Sequence, residues 1–66
     1  MDIVLNGCSH RVDQGMRIDG LVAALGFTGK RIAVERNGEI VPRSRHSDTE
    51  VQPGDRIEIV VAVGGG

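Results

Sequence analysis

Very little in this sequence could perform covalent or redox chemistry on a substrate. Among its 66 residues Cys8 is the single cysteine, so no internal disulfide can form and no thiolate-rich metal site can be assembled. That usage suits a reducing compartment. Phe27 is the single aromatic residue, and a cationic excess is missing as well: eight Lys and Arg face nine Asp and Glu, a formal charge of -1. Single-stranded nucleic-acid binders rely on a basic groove and aromatic stacking platforms, so no nucleic-acid partner is expected. The longest apolar run, Ile59 to Val63, is far shorter than the roughly 20 residues a membrane span requires. The chain starts on an alternating apolar segment instead of the charged, apolar and small-residue regions of a signal peptide. A cytoplasmic protein without membrane attachment is the expectation. The length admits one domain, which buries only about 60% of the surface its unfolded chain exposes. A large enclosed active site is not expected, nor is a metal site.

What is present is a sequence of short, cleanly patterned elements. Met1, Ile3 and Leu5 alternate with Asp2, Val4 and Asn6, the period of a strand, and Asn6-Gly7 is a strong hairpin signal. A second strand follows from about Cys8 to Val12. A two-residue loop then pairs Leu5 with Cys8, Ile3 with His10 and Met1 with Val12 on one face, and Asp2 with Arg11 on the other. Ile18, Leu21, Val22 and Leu25 carry the spacing of an amphipathic helix over about residues 18 to 25, with Asp19 at its start and Gly26 just past its end. Two turns are too short to be stable alone, so this helix must pack on a sheet, and Gly20 weakens it further.

Ile32 and Val34 alternate with polar neighbours, Asn37-Gly38 makes a second turn, and Ile40-Val41 reads as a short strand closed by Pro42. Arg43 to Glu50 is polar and reads as a surface loop containing His46. Gln52-Pro53-Gly54-Asp55 has the residues of a type II turn. From Arg56 onward the alternation assigns Ile57, Ile59, Val61 and Val63 to the core and Glu58, Val60 and Ala62 to the outer face. The first and last strands both have clean core faces and are placed side by side, parallel, in the centre of the sheet. The expected class is α+β: a mixed sheet of four to five strands with one short helix across one face.

The residues that carry chemistry stand at the end. Gly64-Gly65-Gly66 follow the last strand directly, and three extended residues reach about 10 Å beyond a sheet. Without side chains they can thread a channel too narrow for any other residue. Terminal glycines are ordinarily only frayed. These ones end a compact domain with a particular order of elements, and that combination gives them weight.

The chain resembles the ThiS family of ubiquitin-like sulfur carriers over its whole length. The likeness lies in the Asn6-Gly7 hairpin, the single short helix, the run from Ala33 through Asn37-Gly38-Glu39-Ile40-Val41-Pro42 to Arg43, the Pro53-Gly54-Asp55 turn and the ending from Glu58 to Gly66. It departs at Gly64, where many members have Ala, and at Arg36, where an apolar residue is common. The resemblance implies a β-grasp domain over residues 1–63 and a flexible, reactive glycine tail over residues 64–66. It implies that the protein is not an enzyme but a co-substrate of enzymes, with no permanently bound cofactor. A ThiF-type adenylyltransferase would use ATP to join the Gly66 carboxylate to AMP. A persulfide supplied by a cysteine desulfurase or another sulfur donor would then leave a thiocarboxylate, and a ThiG-type thiazole synthase would accept the sulfur in making the thiazole phosphate of thiamin. Gly64 and Gly65 thread the partner's active site in this reading. Free in solution, the protein would be a monomer.

Val60 and Ala62, on the outer face beside the tail, are candidate docking residues together with Glu58 and Arg43; Arg45 is a further cation that could steer a partner. Cys8 as the sulfur-bearing group is disfavoured, because the hairpin places it at the edge of the core face and not in the electropositive setting of a reactive thiol. Three other readings stay open: a molybdopterin synthase small subunit with the same tail chemistry, a ubiquitin-like modifier joined to lysines through Gly66, and a β-grasp adaptor that binds without covalent chemistry.

Overall fold

Two Asn-Gly turns set the register of the sheet. A two-residue hairpin of type I′ requires positive φ at both central residues. Asn6 and Gly7 have φ of 50° and 80°, and Asn37 and Gly38 have 52° and 86°. The computed structural model describes residues 1–62. Its elements are β1 (Asp2–Leu5), β2 (Cys8–Arg11), α1 (Ile18–Ala24), β3 (Ile32–Arg36), β4 (Glu39–Val41), a 3₁₀ turn at Arg43–Arg45, and β5 (Arg56–Val61). The first turn pairs Asp2 with Arg11, Ile3 with His10 and Leu5 with Cys8, and Met1 and Val12 exchange backbone hydrogen bonds at 2.8 and 2.9 Å. This is the register expected from the sequence.

The strands form one mixed sheet in the order β2-β1-β5-β3-β4. β5 lies at its centre, parallel to β1 and antiparallel to β3. Alternation in β1, β3 and β5 sends Ile3, Val34, Ile57 and Ile59 to one face, where they join Ile18, Leu21 and Val22 of α1 in the buried core with Val12 and Val51. Apolar burial of this kind contributes roughly 25 cal/mol per Å² and holds a helix of seven residues that could not persist alone.

The ends of α1 are satisfied without a side-chain N-cap. At its start the Ile18 and Asp19 N–H groups donate to the carbonyls of Thr49 and His46, at 3.0 and 3.1 Å. At its end Gly26, with φ of 80°, donates to Ala23 and Phe27 donates to Val22, the bond pattern of a Schellman motif. The segment expected to be a plain surface loop is therefore also the cap of α1. His46 within it is buried, with its Nε2 3.0 Å from the Val41 carbonyl.

Two assignments to the core face need correction. Val61 is 38% exposed although it shares a face with Ile57 and Ile59. Seven helical residues extend about 10 Å, whereas the six of β5 extend about 20 Å, so α1 cannot cover the whole strand. Cys8 is exposed at the tip of the edge strand β2, where the core no longer reaches. The helix ends at Ala24, with Leu25 as its C-cap. Val63 and the boundary between residues 1–63 and the tail 64–66 lie outside the described residues.

Candidate functional site

The outer face of β5 is where the sequence points, and strand register decides which side chains gather there. Val60 stands opposite Ala33, and Glu58 opposite Glu35. Ile40 on β4 stands opposite Glu35 from the other side. Ile40 is 64% and Val60 60% exposed, so these two residues with Ala33 and Ala62 form a discontinuous apolar surface around a pair of carboxylates. A shallow open cleft lies on the same face, lined by Glu35, Asn37, Gly38, Gly54, Arg56 and Glu58. Like charges directly opposite across two strands are destabilising. Their retention beside exposed apolar residues suits a surface that meets a partner better than one that only meets water.

Arg43 is also brought to this end of the molecule, by an indirect route. β4 runs antiparallel to β3, so the residues after Val41 lie beside the start of β3, which pairs with the end of β5 through Ile32 and Val61. There the Arg43 guanidinium donates to the Lys30 carbonyl at 3.2 Å, and the Ala62 N–H donates to the Arg31 carbonyl at 2.8 Å. The last described residue is thus flanked by the Lys30–Arg31 segment, with Arg43 next to it. Glu58, Val60 and Ala62 share one face; Arg43 approaches from the sheet's other edge. Gly64, Gly65 and Gly66 lie outside the described residues.

At the opposite end of β5 the structure shows a polar cluster that the sequence did not reveal. Asp55 is buried and accepts hydrogen bonds from Arg36 Nε at 2.7 Å, the Gln52 N–H at 2.8 Å and Asn37 Nδ2 at 3.1 Å. Burial pushes its carboxyl up, but the bonds from Arg36, Gln52 and Asn37, with the Arg36 charge, outweigh that and hold it below the ordinary carboxylate range. Asn37 in turn accepts the Arg56 N–H at 2.9 Å. Arg36, noted as a departure from the family's pattern, is therefore the partner that makes a buried Asp55 tolerable. An arginine on the core face next to an Asn-Gly turn was the signal available in the sequence.

His10 is half-buried on β2, as expected of a residue within the sheet, and His46 serves the cap described above. No helix among the described residues is long and apolar enough to cross a membrane.

Comparison with known proteins bears on the family and the fold. A model described as the ThiS family matches residues 3–66. Thiazole synthases of Paramagnetospirillum magneticum and Magnetococcus marinus are each 41% identical over all 66 residues, which cover 20% of those proteins. The chain thus spans about a fifth of the length of these curated relatives. The sulfur carrier protein ThiS of Bacillus subtilis is 43% identical over 49 residues, 74% of either chain. The crystal structure of a thiamine biosynthesis protein (ThiS) from Geobacter metallireducens matches with a TM-score of 0.85 at 32% identity, covering 100% of both chains.

Proposed function

Because the chain belongs to the ThiS family, we propose that it is a sulfur carrier of thiamin biosynthesis, a protein co-substrate whose working group is the Gly66 carboxylate. The observation that carries this reading is full-length agreement with a thiamine biosynthesis protein's fold, in a chain whose sequence ends in Gly64-Gly65-Gly66.

A carboxylate is a poor acyl electrophile, so a ThiF-type adenylyltransferase first transfers AMP from ATP to Gly66 and releases pyrophosphate. The terminal sulfur of a persulfide, supplied by a cysteine desulfurase or another donor, attacks the acyl carbon and expels AMP. A thiol then cleaves the S–S bond, forming a disulfide and leaving the thiocarboxylate. A ThiG-type thiazole synthase takes the sulfur. The thiazole synthase names among the relatives support that acceptor over a molybdopterin-type one. This chain supplies no acid, base or metal to these steps; its part is to dock through Val60, Ala62, Glu58 and Arg43 and to place the tail. Its place of work in this reading is the cytoplasm.

Intact-mass measurement of the protein isolated from its own cells tests the proposal. The expected species ends at Gly66 and shows, in part, the mass gain of one oxygen exchanged for sulfur. A lysine conjugate would replace this reading with that of a modifier, and an exclusively unmodified carboxylate that no adenylating enzyme activates would replace it with that of an adaptor.

A further inference from the structure

β5 runs on past the end of β1. The pairing of these strands ends at Leu5 and Ile57, yet β5 continues to Val61. Ile59 is buried, and its N–H points to the side that β1 has already left. A buried donor without a partner forfeits its hydration with nothing in return. Asn6 resolves this: its own N–H donates to the Ile57 carbonyl at 2.9 Å, and its Oδ1 accepts the Ile59 N–H at 2.8 Å. A side chain 53 positions away in sequence thus acts as one more residue of β1. Glycine or aspartate could equally take the φ of 50° found here. The turn alone does not explain the amide.

On the opposite edge, the Ala62 N–H is held by the Arg31 carbonyl at 2.8 Å. The segment from Ile59 to Ala62, which carries Val60 and Ala62 of the proposed docking surface and precedes the tail, is therefore held along one side by its pairing with β3 and on the other by Asn6. We propose that Asn6 is a positioning residue for the C-terminal tail, fixing the direction in which β5 delivers Gly66 to the activating enzyme. This inference rests on the sulfur-carrier reading. The lever is short but sufficient. Ile59 to Ala62 spans about 10 Å of strand, so a pivot of about 6° at Ile59 shifts the start of the tail by about 1 Å. A misplacement on that scale costs reactive alignment up to about a hundredfold.

The test compares Asn6→Gly, which keeps the turn and removes the acceptor, with Asn6→Asp, which keeps both. ATP-pyrophosphate exchange is measured with the cognate adenylating enzyme, below the melting transition of each variant, alongside amide hydrogen exchange of the free proteins. In Asn6→Gly, exchange at Ile59 should accelerate and kcat should fall about tenfold while KM stays within about twofold; Asn6→Asp should restore both readings to near wild type. Wild-type kcat in folded Asn6→Gly, a loss confined to KM, or equal impairment of the two variants would overturn the positioning role and leave the sulfur-carrier reading intact. Failure of the wild-type chain to be activated would overturn that reading, and this inference with it.

Discussion

The buried Asp55 carboxylate ties together two segments that are far apart in sequence. Asp55 receives Arg36 and Asn37 from the second hairpin and the Gln52 N–H from its own turn. The Arg36 side chain remains 32% exposed, so solvent screens the ion pair, and the neutral donors carry a larger share of the effect than a count of charges suggests. Because the folded-state carboxyl is held below its ordinary range, its contribution to stability is fully present above that range and is lost as pH falls through the depressed value. Asp55→Asn should cost about 1 to 3 kcal/mol at neutral pH, since its amide cannot accept from all three donors. The gap to wild type should close progressively in acid. Urea titrations over a pH series check this, and a gap that widened on acidification would show that the carboxylate is not the stabilising form. The sequence displayed Gln52-Pro53-Gly54-Asp55 as a turn and nothing more. Propensity assigns Asp to turns for local reasons, whereas this Asp bonds across 18 and 19 positions, a separation that no local rule can see.

At the scale of elements, strands and hairpins were the most legible part because their signals are local. Period-two alternation fixed the faces of β1, β3 and β5, and two Asn-Gly pairs fixed the registers of both hairpins. The helix showed through its apolar spacing, but its N-terminal partners did not, since Thr49 and His46 reach it from the segment that reads as polar loop. The outer face of β5 was legible in its residues, Glu58, Val60 and Ala62, but not in what stands across from them: pairing Glu58 with Glu35 requires the register of β3 on β5. That like-charge pair offers a test at this scale. Glu58→Lys turns repulsion into attraction and should stabilise the fold by about 0.2 to 1 kcal/mol, seen as a melting temperature raised by a few degrees. The same change should weaken capture by the adenylating enzyme, measured as a higher KM. If it lowers the melting temperature, the pair is held apart by Arg56 or by water and imposes no cost on the fold. If stability rises with no change in KM, Glu58 lies outside the docking surface.

For the molecule as a whole, the proposed function separates what folds from what reacts. Among the described residues the buried core runs from Ile3 to Ile59, and the glycines at the end have no side chain to add to it. Deleting Gly65 and Gly66 should leave the melting curve nearly unchanged, whereas Leu21→Ala or Ile59→Ala should cost about 2 to 5 kcal/mol through lost burial and the cavity left behind. Activation should respond in the opposite way. Adding one alanine after Gly66 keeps a carboxylate but moves it by about 3.5 Å and introduces a methyl group where a channel shaped for glycine has no room. In-line attack on the α-phosphate depends on orientation, and a displacement of even 1 Å can cost about a hundredfold. Pyrophosphate exchange should therefore nearly vanish in the extended protein, although its fold and its binding through Val60 and Ala62 persist, and Gly66→Ala should be impaired less severely. Melting, binding and exchange measured on the same preparations distinguish the outcomes. An extended chain activated at the wild-type rate would mean that Gly66 is not the working terminus. A truncation that melts early would mean that the tail belongs to the fold, and the division between a stable domain and a reactive end would have to be abandoned.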